Sequence, residues 1–242
     1  MSHTTIFPTI RILSAAAALL GAGASLAQQP AAAPKPIDWT KAVPETSFKA
    51  PKVNQENSWS ARTPRIYGNS QNKEQTWGVF EYSFETKALW TDNMSATFHI
   101  MLDAVDVIKN SKGQIPDDTP RFSYMTLTLR YSDIPKGKDH KICAVLPPAA
   151  LERFGKPIAI GLEVTVGDTV VYADDKNVAP LLAGAMQKVA AANNSVKLPK
   201  WWEFVNAYPQ IQSKMARRND YLVDRAKTPF AVVAIDDYLI SK

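Results

Sequence analysis

The sequence predicts a mainly β protein with peripheral helices, arranged as an antiparallel β-sandwich. The clearest pattern is a strict alternation of branched apolar residues with small or polar ones, which is typical of a strand with one buried face; the apolar members are Ile158, Ile160, Leu162, Val164 and Val166. Gly167 and Asp168 interrupt this run and residues 169–172 resume it, which indicates a β-hairpin within residues 156–174. One apolar face on a hairpin needs a second layer to cover it. A small β-barrel and an α+β arrangement are the alternative folds.

Further strands are predicted at regular intervals along the chain. Alternation of apolar and polar residues places strands at residues 77–86, 96–103, 122–131 and 141–146. Turns are expected at residues 91–93 and 132–140, and a loop at 110–120. Weaker patterns suggest a short strand at residues 58–67 and a late strand at 230–235. Many short strands separated by turns favour a sandwich.

Two amphipathic helices are predicted in the second half of the chain. The first, at residues 180–192, begins at Pro180 and places Leu182, Ala185, Met186 and Val189 on one face. The second, at residues 210–227, would turn Ile211, Met215, Leu222 and Ala226 inward.

The N-terminal composition predicts an exported protein. Residues 1–27 combine a basic start, a short apolar run and a small-residue cleavage site, as a signal peptide does. Residues 28–57 read as a Pro/Ala-rich tether with an irregular lead-in, and residues 58–242 as a single sandwich domain. After cleavage no transmembrane segment is expected. The formal charge of the whole chain is +5, and losing Arg11 lowers it by one, which is too little to argue for nucleic acid as a partner.

Catalytic and metal-binding patterns are not evident in the sequence. Cys143 is the only cysteine, so the chain can form no internal disulfide, and its apolar surroundings predict a buried, inert thiol. We therefore expect no enzyme activity, no metal and no cofactor. A secreted hydrolase remains an alternative, since two dispersed carboxylates suffice to hydrolyse glycosides; the candidates are Asp103, Asp106, Glu163 and Asp168.

Two groups of residues are candidates for binding. Trp201 and Trp202 either stack on sugar rings, as in a carbohydrate-binding module, or pack their segment onto the sandwich. Arg217, Arg218 and Arg225 would share the outer face of the helix at 210–227. Such a patch would bind carboxylates or sulfates of a partner protein or an acidic glycan, or it is simply a solvated face.

The order of these segments also resembles a known group of proteins. The signal, the Pro/Ala tether, the strands FEYSFE (80–85) and FSYMTLTLRY (122–131) and the predicted late basic helix look like those of exported immunoglobulin-like proteins of Verrucomicrobia, whose genes lie beside type IV pilus assembly genes. The resemblance implies an immunoglobulin-like fold and a non-enzymatic, pilus-associated or adhesive role in the periplasm, at the outer membrane surface or outside the cell. Its partners would be envelope or pilus proteins, including further copies of itself. The chain departs from true pilins, because no prepilin-type glycine precedes a long apolar helix.

Overall fold

A computed structural model describes residues 37–49, 77–109, 113–116, 119–192, 198–228 and 239–240. The predicted signal peptide, most of the tether, and the predicted strands at residues 58–67 and 230–235 lie outside the described residues. The elements run in the order α1 (Trp39–Ala42), β1 (Gly78–Thr91), β2 (Met94–Asp103), α2 (Val105–Ile108), β3 (Phe122–Ser132), β4 (Ile134–Leu146), α3 (Pro148–Phe154), β5 (Lys156–Val166), β6 (Thr169–Val178), α4 (Pro180–Ala192), α5 (Trp201–Ala207), α6 (Pro209–Gln212), β7 (Met215–Arg217), β8 (Val223–Asp224) and β9 (Leu239–Ile240). Three single 3-10 turns lie at Glu45–Ser47, Asn219–Tyr221 and Arg225–Lys227.

Two open sheets build the sandwich. The smaller has the strand order β1-β4-β8, and the larger has the order β6-β5-β2-β3-β7, with β9 also paired to β3. All the pairings are antiparallel except that of β7 with β3. Neither sheet closes on itself in the described part of the chain, so the predicted sandwich is confirmed and the barrel alternative is wrong. The predicted hairpin is confirmed as β5 and β6.

The chain passes between the two sheets at one shared corner. Strand β1 leads into β2 through Asp92 and Asn93, and β3 leads into β4 through Asp133. Asn93 and Asp133 have φ angles of 53° and 57°, a conformation that Asn and Asp tolerate better than most residues. The two crossings are joined because the carboxylate Oδ1 of Asp92 accepts a 2.9 Å hydrogen bond from the backbone N–H of Asp133.

The turn predicted at residues 132–140 is wrong, because β4 already begins at Ile134. Its early residues pair with the far end of β1, where Gly137 lies opposite Thr86 and Pro135 opposite Trp90. The buried hydroxyl of Thr86 donates to the Pro135 carbonyl at 2.7 Å and accepts from the Gly137 N–H at 3.2 Å. The Thr86 hydroxyl thus bonds backbone groups that the irregular pairing of β1 with β4 would leave without partners. The amino-acid composition of residues 132–140 alone indicates a turn, which is why the strand was not predicted there.

The main core lies between the two sheets. Strands of the smaller sheet contribute Phe80, Tyr82 and Phe84, and the hairpin contributes Ile160, Leu162, Val164 and Val166. The predicted fifth member of the hairpin face, Ile158, packs instead on the opposite side of the larger sheet. Met101 pairs with Ala159 and Leu102 with Pro157, so Ile158 is the extra residue of a β-bulge, which reverses the direction of its side chain.

Helices form a third layer on the outer face of the larger sheet. The helix predicted at residues 180–192 is confirmed as α4, and its Leu182 and Met186 are buried there. The neighbouring α5 adds Trp201, Trp202, Phe204 and Val205 to the same apolar cluster. On the other side of the molecule, Cys143 is buried as a thiol on the outer face of the smaller sheet, as predicted.

The helix predicted at residues 210–227 is wrong. The segment comprises the short helix α6, the strands β7 and β8, and two 3-10 turns. Ile211 and Met215 pack with the outer cluster, whereas Leu222 belongs to the main core, and one straight helix could not serve both layers. The edge of β3 offers β7 backbone partners: the Phe122 N–H donates to the Lys214 carbonyl and the Arg218 N–H to the Tyr124 carbonyl, each at 2.9 Å.

The folded region begins before residue 58. Helix α1 contacts β1 and β6, and the backbone of Lys49 bridges to Ser83 on β1. The ring of Phe48 stacks on both Phe84 and Tyr172, with centroids 5.3 Å and 4.2 Å away. Residues 37–49 thus pack on the sandwich, and the described residues from Ile37 onward group as one compact unit. In the part of the chain described, no helix has the length and apolarity required to span a bilayer.

Candidate functional site

A row of aromatic rings crosses the outer face of the larger sheet beneath α5. Trp202, His99 and Tyr124 are its members, and His99 and Tyr124 lie on the paired strands β2 and β3. The His99 ring stacks on Trp202 at 4.5 Å and lies 6.2 Å from Tyr124, while its Nδ1 shares a 2.7 Å hydrogen bond with the Tyr124 hydroxyl. Trp201 meets all three rings edge-on.

A cation covers each end of this row. The Lys200 ammonium lies 5.4 Å from the Trp202 ring centroid and is also paired with the carboxylate of Glu163. At the other end, the Arg217 guanidinium lies 5.7 Å from the Tyr124 centroid and donates a 2.8 Å hydrogen bond to the Asn206 side chain. Burial lowers the pKa of His99 to about 4, with Glu163 opposing and Lys200 assisting, so the imidazole is neutral at physiological pH. Burial raises the pKa of Tyr124.

The two tryptophans predicted as a binding pair are structural. Trp201 is fully buried and Trp202 is 5% exposed, so neither presents a face to a sugar. Trp202 lies directly on the backbone of Gly161, where any side chain would collide with its ring. The alternative interpretation, that the pair packs its segment onto the sandwich, is therefore the one the structure supports.

The three arginines predicted as one patch lie in three different environments. Arg225 is only 3% exposed, with a guanidinium nitrogen 4.0 Å from the Glu81 carboxylate. Arg217 is exposed at the end of the aromatic row. Arg218, the next residue of the chain, is half-buried against the ring of Phe154. A strand sends consecutive side chains to opposite faces, so the loss of the predicted helix separates these residues.

Arg218 has an unexpected neighbour in Arg153 of α3. Both guanidinium groups lie over Phe154, at 5.4 Å and 5.3 Å from its centroid, and Arg153 also donates to the Tyr221 hydroxyl at 3.2 Å. The Nε atom of Arg218 is buried and has no hydrogen-bond partner within the described residues. Among those residues, no carboxylate lies within 4.0 Å of Arg153, Arg217 or Arg218.

The carboxylates considered for catalysis are mostly engaged by cations. Asp103 forms two hydrogen bonds with Arg121, of 2.9 Å and 2.6 Å, and also accepts from the Val105 N–H. Glu163 pairs with Lys200, and Asp106 lies 3.8 Å from both Lys109 and Lys156. Asp168 is exposed in the hairpin turn. Within the residues that could be searched, no three acidic, histidine or cysteine side chains converge as a metal site would require.

A groove that the sequence reasoning missed lies beside the corner where β1 crosses to β2. Its volume is about 880 Å³, and its lining includes Ile37, Trp39, Leu89 and Trp90. Ile37, Leu89 and Trp90 are 55%, 74% and 55% exposed, which is high for large apolar side chains. The sequence does carry a signal for it, since the alternation of β1 stops at Ala88, Leu89 and Trp90, three consecutive apolar residues at a strand end.

Comparisons with known proteins place the chain in a family. A crystal structure of a protein from Akkermansia muciniphila is similar, with a TM-score of 0.53 and 16% sequence identity over 81% of this chain and 92% of that chain. At this identity the likeness concerns the fold. No curated protein matches. A protein-family model matches residues 40–242, which include both sheets and all the described helices after α1, and the chain therefore belongs to the family that this model defines.

Proposed function

We propose that the protein is a non-enzymatic, exported protein of the cell envelope or cell surface, associated with pili or adhesion, that works through contacts with other proteins. The family match and the fold shared with a protein of Akkermansia muciniphila support this reading, as does the resemblance to exported proteins encoded beside pilus genes. The engagement of Asp103, Asp106 and Glu163 by cations weakens the hydrolase alternative.

The observation that carries the proposal is the set of arginines around β7. Arg153, Arg217 and Arg218 have no carboxylate within 4.0 Å among the described residues. The buried, unpartnered Nε of Arg218 leaves a donor unsatisfied, at a cost of about 1–3 kcal/mol. A carboxylate supplied by a partner protein would reach this donor once the Arg218 side chain turns outward, and guanidinium groups bind carboxylates with two parallel hydrogen bonds.

The test removes the arginines that were predicted from the sequence. In the Arg217→Ser/Arg218→Ser variant, retention of the purified protein on the bacterium's own envelope fraction should fall by a factor on the order of five at low salt. Retention of the wild type should itself fall steeply between low and physiological ionic strength, since salt screens exposed charges. The melting temperature should change little, because Arg218 loses mainly a ring contact and Arg217 loses a ring contact and one exposed hydrogen bond to Asn206.

The Lys136→Ser/Lys138→Ser variant is the matched control. Both lysines are exposed on β4 and form no ion pair with any described residue, so this variant loses the same formal charge away from β7. It should be retained like the wild type. The arginines would have only a structural role if the arginine variant were retained as strongly as the wild type, or if retention of the wild type did not change with salt concentration.

Export has its own test. Mass spectrometry of the protein recovered from the envelope and the medium should find a mature N-terminus near Gln28. Recovery with residues 1–27 intact would contradict cleavage, and recovery only from the cytoplasm would contradict export.

A further inference from the structure

The groove beside Trp90 owes its shape to an irregular stretch of β1. From Thr86 to Trp90 the strand advances four residues while its partner β4 advances only two, from Gly137 to Pro135. The surplus residues bulge outward, and bulges commonly redirect side chains at functional sites. Leu89 and Trp90 consequently project into solvent although they belong to a paired strand.

The rim of this groove is fixed by hydrogen bonds. Thr86 anchors the start of the bulge through its two bonds to β4. At the other end, Asp92 is tied to the backbone of Asp133, and the carbonyl of Asn93 accepts a 3.0 Å bond from the N–H of Gly167. A site held in this way needs little reorganisation to bind a ligand.

The groove is lined by aromatic residues and by equal numbers of acidic and basic residues. Trp39 and Trp90 both line it, together with Asp38, Lys41, Lys87 and Asp92. The two acids offset the two lysines, and Lys41 is paired with Asp38 at 2.9 Å. Hydrogen bonds from Thr40 and Lys41 lower the pKa of Asp38 to about 2, so this carboxylate remains ionised and accepts hydrogen bonds at any physiological pH.

From this arrangement we infer that the groove binds a neutral oligosaccharide, with a sugar ring stacked on Trp90 and its hydroxyls donating to the carboxylates of Asp38 and Asp92. The apolar C–H face of a pyranose fits an aromatic ring, and fixed oxygen acceptors orient its hydroxyl groups. Four charged residues inside the lining argue against a protein partner, because charged residues are depleted at the centre of protein interfaces. Because two of these residues are acidic and two are basic, the lining has no net formal charge that would attract a charged ligand.

The mature protein is first tested for binding on an array of neutral, sulfated and sialylated glycans. Its affinity for cellohexaose, mannohexaose, N-acetylchitohexaose and any other neutral glycan that binds on the array is then measured by calorimetric titration. Trp90→Ala should lower the affinity for the neutral ligand at least about tenfold, and Trp90→Phe should retain part of it, since a smaller aromatic face remains. Leu181→Ala is the matched control, because Leu181 on α4 is an apolar residue with an exposure similar to that of Trp90, 59% against 55%, and does not line the groove. Its affinity should stay within about threefold of the wild type.

Three results would overturn the inference. The first is that no neutral glycan on the array binds the wild type more strongly than it binds Trp90→Ala. The second is binding confined to sulfated or sialylated glycans. In the third, Leu89→Ala and Trp90→Ala weaken retention on the envelope fraction equally while no neutral glycan binds, which would make the groove an apolar protein contact. The arginine variant of β7 should bind the neutral glycan normally, so the failure of one proposal can be told from that of the other.

Discussion

The imidazole ring of His99 lies flat on the indole ring of Trp202, with centroids 4.5 Å apart and ring planes 1° from parallel. This contact joins β2 of the larger sheet to α5 above it. A neutral imidazole suits the position because burial penalises its charged form. Protonation of His99 would therefore weaken one of the contacts that attach the helical layer, beside the apolar packing of Trp201, Phe204 and Val205.

Acid should loosen this attachment. The pKa of His99 is about 4 in the folded protein and near 6.5 in an unfolded chain, so the unfolded state binds the proton more readily. The free energy of unfolding should consequently decrease as the pH falls below about 6.5, and the loss should level off below about 4, at roughly 3 kcal/mol from this residue. Urea denaturation at a series of pH values measures the effect.

The control for acid sensitivity is His99→Phe, which keeps a flat ring on Trp202 but does not titrate. The difference in unfolding free energy between this variant and the wild type should change between pH 7 and pH 4, which isolates His99 from the carboxylates that titrate in the same range. A difference independent of pH would contradict the assigned shift.

Gly161 should tolerate no side chain. A Cβ at this position would lie 2.7 Å from Cε3 of Trp202 and nearer still to Cζ3, so α5 would have to move. Gly161→Ala should therefore destabilise the protein by about 1–3 kcal/mol, as overpacking does. Chemical denaturation followed by tryptophan fluorescence is a suitable measurement, since it reports on the displaced rings directly.

Gly184 in α4 provides the opposite expectation for the same substitution. A Cβ there meets nothing within 4 Å, so Gly184→Ala should stabilise the helix by about 0.5–1 kcal/mol. If both alanine variants had the same effect, the close approach of Trp202 to Gly161 would be excluded.

A charge in the hairpin core should prevent folding. Ile160 is 5% exposed between the sheets, and Ile160→Asp would bury an unpaired carboxylate at a cost of several kcal/mol against a typical total stability of 5–15 kcal/mol. Val170, on the paired strand β6, is 50% exposed and serves as the control. Thermal unfolding should show a cooperative transition for Val170→Asp and none for Ile160→Asp. If both variants unfolded cooperatively near the wild-type temperature, the assignment of Ile160 to the buried face of the hairpin would be wrong.

The strands of the sandwich could be predicted because their information is local. Alternation in β2, β3 and β5 reflects a face that is buried along nearly the whole strand, and β-strand geometry turns this into a period of two. The helix α4 could be predicted for the same reason, since Leu182 and Met186 are spaced four residues apart and lie on one apolar face.

The segment 210–227 could not be predicted in the same way. Its apolar residues have helical spacing, but Ile211 and Leu222 belong to different layers of the fold. Only the exposed edge of β3, formed by residues far away in the sequence, decides that Met215–Arg217 becomes a strand. The separation of Arg217, Arg218 and Arg225 follows from that choice, because strand and helix distribute consecutive side chains differently.

The sequence by itself determined the mainly β class, the β5–β6 hairpin, the α4 helix and the buried thiol of Cys143, all of which depend on local periodicity and hydrophobicity. The tertiary structure decided which side chains are accessible. Trp201 and Trp202 are covered because Gly161 lets α5 approach the sheet, whereas Trp90 is exposed because β1 and β4 advance by different numbers of residues beside it. Exposure depends on the register between strands and on the packing of layers, and both are set by residues that are distant in the chain and adjacent only after folding.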